Sequence, residues 1–223
     1  MWRPVINCSF DASGAWQAAT QGHVVVIVDI IDMSTTLEAA LEAGARKVYG
    51  ASPDGTIVPI EVKPEVIGWQ AGKEALLHNS SVLVVAEPRW DDREARIKSC
   101  APVLRGLERA GIKDYFLLPN LGASTVKLAD FQDAIVVAVT NSGGVAFDAA
   151  FQAGGTVLTA TVARTLGKKG LEPAKEGVKR AIDQARSLHK HITFVAASGN
   201  SLEDTLASQY LAQMALSLTR HLY

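Results

Sequence analysis

The chain is predicted to be an α/β protein, with three α/β/α layers around a largely parallel or mixed central sheet. Short β-branched runs recur along its 223 residues, and most are apolar throughout rather than alternating. Strands covered on both faces look like this. Stretches of helical length and pattern separate the runs, so strand and helix alternate. No linker rich in Pro, Gly or Ser divides the chain and no repeat of solenoid period is visible. One domain over residues 1–223 is therefore expected.

The elements follow in order. VVVIVDII (24–31) leads through STT into a helix over 35–43 closed by Gly44. Thr35 and Glu38 have capping-box spacing, with Thr35 as the N-cap. KVYG (47–50) follows. The segment 51–80 is the least regular, because Pro53, Asp54-Gly55, Pro59 and Pro64 predict a hairpin or excursion around the strand-like TIVPIEV (56–62). SVLVVAE (81–87) precedes a helix over roughly 89–110, which Pro102 is expected to kink or divide. DYFLLP (114–119) and AIVVAVT (134–140) are the next strands, and a helix over 143–153 follows the second. TVLTATV (156–162) precedes a helix over 172–190, and ITFVAAS (192–198) precedes the last, over 202–221. There Leu202, Leu206, Tyr210, Met214 and Leu218 form a slowly drifting stripe expected to pack on another surface. A homodimer is one way to cover it.

Composition narrows the function. With 48% hydrophobic residues, 20% charged and a net charge of −1, the chain lacks the concentrated Lys and Arg of a nucleic-acid protein. No apolar run reaches membrane-spanning length and the first residues have no signal-peptide core, so a cytoplasmic protein is expected. Cys8 and Cys100 form no disulfide or metal pattern and are expected to be small buried side chains. The pair HKH (189–191) ends a helix, where cations suit the dipole, so no zinc site is expected. No GxSxG, P-loop or GxGxxG sequence occurs.

Ligands of an open α/β sheet gather beyond the carboxyl ends of strands, near helix amides. Asp29 ends the first apolar run, where a carboxylate is costly unless paired, hydrogen-bonded or metal-bound. Metal ligand or reacting group on one side, structural cap on the other, are equally open. Thr140, Asn141, Ser142, Gly143 and Gly144 form a second crossing, whose glycines allow close backbone approach. Ser201-Leu202-Glu203-Asp204 forms a third, again with capping-box spacing. Glu87 ends a further run and Arg89 follows it, both within reach of the Asp29 edge. Asp91, Asp92 and Arg93 read as the solvated start of a helix. Lys127, after Asn120, Gly122, Ser124 and Thr125, reads as a solvated lysine able to neutralise an anion.

Taken in order, these crossings resemble the 2-phosphosulfolactate phosphatase (ComB-like) family. Its D-V-L-R-A-S/T-T-T strand end and A-x-G-A helix closure are matched by VVVIVDIIDMSTTLEAALEAGA. Its G-E-R-G-G is echoed by Ala86-Glu87-Pro88-Arg89-Trp90, and L-G-N-S-P by Leu121-Gly122-Ala123-Ser124-Thr125. T-N-G-T-R is echoed by Thr140 to Gly144, and S-L-E-D by Ser201 to Asp204. The resemblance covers about residues 24 to 215. It implies Mg²⁺, a small anionic phosphorylated substrate and release of phosphate, as from 2-phospho-3-sulfolactate. It implies catalytic roles for Asp29, Glu87 and Asp204, and Mg²⁺ ligation by Asp29, Glu203 and Asp204. Ser34, Thr35, Thr36, Arg89, Asn141, Ser142 and Gly143 would bind substrate. The chain departs from the pattern at Asp32, where the family has arginine, at Val145 or a neighbour, also arginine there, and at Ala123, an asparagine there. A related hydrolase with a less anionic substrate, or a binding protein without catalysis, is the alternative.

Overall fold

The computed structural model describes residues 2–90 and 92–220; Asp91 and the end of the helix expected to 221 lie outside them. Sixteen elements divide into two halves of the same order. The first half is β1 (Ile6–Phe10), α1 (Asp11–Thr20), β2 (Val24–Val28), α2 (Ser34–Glu42), β3 (Lys47–Ala51), α3 (Pro64–His78), β4 (Val82–Ala86) and α4 (Arg93–Ala110). The second is β5 (Phe116–Pro119), a 3₁₀ helix (Gly122–Lys127), β6 (Ile135–Val139), α5 (Gly143–Gln152), β7 (Thr156–Thr159), α6 (Glu172–Leu188), β8 (Ile192–Ala196) and α7 (Leu202–Arg220).

The strands form two parallel four-stranded sheets, ordered β1-β8-β2-β7 and β3-β6-β4-β5. Exchanging β1, β2, β7 and β8 for β5, β6, β3 and β4 turns the first order into the second, read backwards. Every ladder joins one half to the other: β1 and β2 flank β8, and β3 and β4 flank β6. Left-handed turns repeat at a near-constant spacing, Asp11 with Gly122, Gly22 with Asp133, Gly44 with Gly154 and Asn79 with His189. The molecule is thus an internal duplication whose halves are interleaved.

Each sheet is sandwiched α/β/α, and the two sandwiches share their middle layer. Helices α6 and α7 cover the outer face of the first sheet, and α3 and α4 that of the second. Helices α1, α2 and α5 and the 3₁₀ helix lie between. Side-chain alternation follows. On β2, Val25 and Ile27 join the shared inner core, while Val24, Val26 and Val28 join the core under α6 and α7. Helices α3 and α4 touch at backbone distance: a Cβ on Gly68 would stand 2.1 Å from the Val103 carbonyl oxygen.

Several expectations need correction. TIVPIEV is not a strand, since its backbone finds no ladder, and Ile57 is 96% exposed. The irregular segment instead ends in α3, with Pro64 in the first turn, where a missing N–H costs nothing. The edge strand β1 and helix α1 were not expected. Helix α4 runs through Pro102 undivided. Thr35 is not the N-cap of α2; Met33 is, without a side-chain cap, and Glu38 turns elsewhere. The stripe Leu202, Leu206 and Tyr210 faces outward, and α7 instead buries Asp204, Ala207, Ser208, Leu211, Ala212 and Ala215. Cys100 is buried as expected, but Cys8 is exposed on the edge strand.

Candidate active site

The carboxyl ends of β2, β4 and β8 bring together the acids that the sequence singled out. Asp29 follows β2 and is 2% exposed. Its Oδ1 accepts the Asp32 amide at 3.0 Å. Its Oδ2 accepts the Gly143 amide at 2.8 Å and the Ser142 hydroxyl at 3.1 Å, so one carboxylate ties β2 to the start of α5. Burial pushes its carboxyl above the usual range and the Asp32 charge adds to this, against the bonds from backbone amides.

Asp204 approaches the same loop from α7. Ser201 caps that helix through the Asp204 amide at 3.1 Å, while the Asp204 carboxylate leaves the helix and accepts the Ile30 amide at 2.9 Å. Burial, with the charge of Asp29 as a further push, raises its pKa to about 6. Glu203, next to it, is exposed.

Glu87 follows β4. Burial pushes its carboxyl up, followed by the charge of Asp32, with Asp29 adding to it. Arg89 Nη2 donates to Asp32 Oδ1 at 2.5 Å and to the Ile31 carbonyl at 3.3 Å, and its Nε lies 3.8 Å from Glu87. Asp32 therefore claims the arginine two residues beyond Glu87.

The hydroxyls of α2 serve the loop. Ser34 Oγ accepts the Asp29 amide at 3.0 Å and donates to the Ile27 carbonyl at 2.9 Å. Thr35 Oγ1 donates to the Ile30 carbonyl at 2.6 Å and meets Thr161 Oγ1 at 2.8 Å. Thr36 Oγ1 lies 2.6 Å from Asn120 Oδ1, and Asn120 Nδ2 donates to the Asp32 carbonyl at 2.7 Å. These bonds hold the loop 29–33 rigid. Asn141 is exposed beside Ser142.

Asp29, Asp32, Glu87, Arg89, Asp204, Ser142 and Gly143 thus form one constellation, and Glu203 stands outside it. Hard carboxylate oxygens suit Mg²⁺, which needs one or two carboxylates and keeps waters or substrate phosphates for the rest. Asp29 and Asp204, on either side of Ile30, are the pair of that kind. Among the described residues no group of three His, Cys, Asp or Glu side chains is arranged to hold an ion. The nearest histidine pair, His23 with His191, lies at the other end of the sheet, its ring centroids 5.3 Å apart.

Two further buried acids have other duties: Glu38, read from the sequence as a capping-box partner, and Asp148, which sequence reasoning missed. Glu38 accepts the Thr159 hydroxyl at 2.7 Å and pairs with Arg180 at 2.5 Å. Asp148 accepts the Lys63 amide at 3.0 Å, the Ser52 amide at 3.3 Å and the Gln152 amide group at 2.8 Å. Both sit mid-helix: Glu38 holds the end of the edge strand β7, and Asp148 the loop after the edge strand β3. The signal for them was an acid on the apolar face of each helix. Among the described residues no helix is long and apolar enough to cross a membrane. Compared with known proteins, the chain matches no family model and no curated relative.

Proposed function

We propose that the protein is a Mg²⁺-dependent phosphatase acting on a small phosphorylated organic acid, in the manner of the 2-phosphosulfolactate phosphatases it resembles. The observation that carries this reading is the convergence of Asp29 and Asp204, beyond the carboxyl ends of β2 and β8 in one sheet, with Glu87, beyond that of β4 in the other, all with raised pKa values. Asp29 and Asp204 would hold Mg²⁺, with Glu203 outside the pair. The ion would supply charge neutralisation at a phosphoryl group. Glu87, whose carboxyl is pushed up by burial and then by the charge of Asp32, is the acid left to give a proton to a leaving oxygen. The Gly143 amide and Ser142 hydroxyl keep Asp29 in place, and the α2 hydroxyls keep its loop rigid.

The test is phosphate release from a panel of phosphoesters with and without Mg²⁺. Release that depends on Mg²⁺ and is lost in Asp29→Asn supports the reading; no release from any ester by folded protein overturns it. One observation favours a second reading, a hydrolase or binding protein for a less anionic ligand. Arg89 is held by Asp32 and is not free for an incoming anion. A homodimer through the exposed row Leu202, Leu206 and Tyr210 belongs to the same proposal, and a monomer by sedimentation would remove it.

A further inference from the structure

A second concavity adjoins the carboxylates, and its charge is opposite. The cavity, about 450 Å³, opens between the 3₁₀ helix and the loop that follows β7. Lys127, Arg164, Lys168 and Lys169 line it, with the polar Thr35 and Ser124 and no acid. Lys168 has a distant partner in Glu176 at 3.7 Å; among the described residues, Lys127, Arg164 and Lys169 form no ion pair. The cations at the cavity after β3 are answered by contrast: Arg105 and Arg109 both reach Glu65, and Lys63 pairs with Glu61. Uncompensated like charges repel and are retained at a cost unless something anionic joins them.

The loop carrying three of these cations is held in place. Glu42 on α2 accepts the Thr165 hydroxyl and, at 2.8 Å, the Gly167 amide. The Thr165 amide donates to the Lys168 carbonyl at 3.1 Å, and the Lys169 amide to Glu172 at 3.2 Å. A preorganised rim loses little freedom when it binds. Thr35 stands in the first turn of α2, where the helix dipole also favours an anion.

We propose that this basic cavity binds the anionic part of the substrate, a tetrahedral oxyanion joined to at least one further negative group. The inference rests on the phosphatase reading for its link to the carboxylates. One residue separates the two regions: Thr35 lines the cavity and bonds the Ile30 carbonyl, while Asp204 takes the Ile30 amide. The substrate class is then a polyanionic phosphoester, and the anion recognition that Arg89 cannot give is supplied by Lys127 and the 164–169 loop.

Calorimetric titration with inorganic phosphate and with pyrophosphate, at low salt, tests this directly. Pyrophosphate binds the parent more tightly than phosphate, and added KCl weakens both. Lys127→Gln/Arg164→Gln and Lys168→Gln/Lys169→Gln each raise the Kd at least tenfold with Tm unchanged, while Lys98→Gln leaves it as it was. Equal affinity in all variants, or no binding by the parent, overturns the proposal. Anion binding lost in these variants without hydrolysis of any ester leaves the cavity standing and removes the phosphatase. Hydrolysis with KM unmoved in both double variants does the reverse.

Discussion

Two crossings occupy matching places in the duplicated halves, β2 into α2 and β6 into α5, and they end differently. At the second, Thr140 accepts the Gly144 amide at 2.8 Å through its hydroxyl. At the first, Asp29 accepts the Asp32 amide at 3.0 Å through a carboxylate. A neutral hydroxyl is enough to fold the loop back on itself; the carboxylate of Asp29 does this with one oxygen and reaches across to Ser142 and Gly143 with the other. Glu87 differs from its counterpart in the same way, since Ala197 follows β8 where Glu87 follows β4. Mid-helix the halves agree, with Glu38 in one and Asp148 in the other, each pinning the end of an edge strand or the loop after it. Buried acids present in both halves fasten the scaffold; those present in one lie in the candidate site.

The largest expected effect comes from separating the halves. Each fragment of a chain cut between α4 and β5 lacks every strand partner, and circular dichroism of either alone shows no cooperative unfolding. Co-expressed, the two restore it. Next come paired truncations. Asp29→Ala strands the Gly143 and Asp32 amides and costs about 3 kcal/mol, against about 1 kcal/mol for Thr140→Ala, by denaturant unfolding. Equal costs would dissolve the contrast.

The pH dependence is smaller and has a definite sign. The folded-state pKa of Asp204 lies near 6, above its ordinary 3.8. A raised carboxyl contributes stability that is present below its unfolded pKa and is lost as pH rises through the folded value. The full shift corresponds to roughly 3 kcal/mol; screened by partial solvent access, Asp204→Asn gains about 1 kcal/mol on the parent at pH 7.5 and nothing at pH 3.5. Added Mg²⁺ raises the parent's Tm at pH 7.5 more than at pH 5, and Asp204→Asn removes that response. The smallest effect belongs to the surface pair Arg46–Asp133, at 3.1 Å, which links the halves in solvent. Arg46→Ala changes stability by less than about 0.5 kcal/mol.

The strands buried on both sides were the most legible in sequence, and the apolar edge strands β3, β5 and β7 were read with them. All five residues of β2, β4, β6 and β8 are buried, and their runs read as strands at once. Strand β1, half exposed at a sheet edge, carries no such pattern. The division into two sheets was hidden because each strand's neighbours come from the other half, which no local pattern reports. Asp29, Glu87 and Asp204 were legible as acids at strand or helix ends. The roles of Thr35 and Glu38 were not, because capping-box spacing is the same whether the side chains turn to the helix or to a neighbouring loop. The basic cavity was illegible for a different reason: Lys127 and the 164–169 loop meet only in space.

Interleaving has a consequence for how the protein is made. As the first half leaves the ribosome it carries four strands, none with a partner, and Ile6 must wait for Ile192. Nothing but helices and loose apolar contacts can form until β5 to β8 emerge. Such long-range pairing makes for slow folding, with apolar strands exposed meanwhile. The nascent chain is therefore a natural client for chaperones that shield unpaired strands.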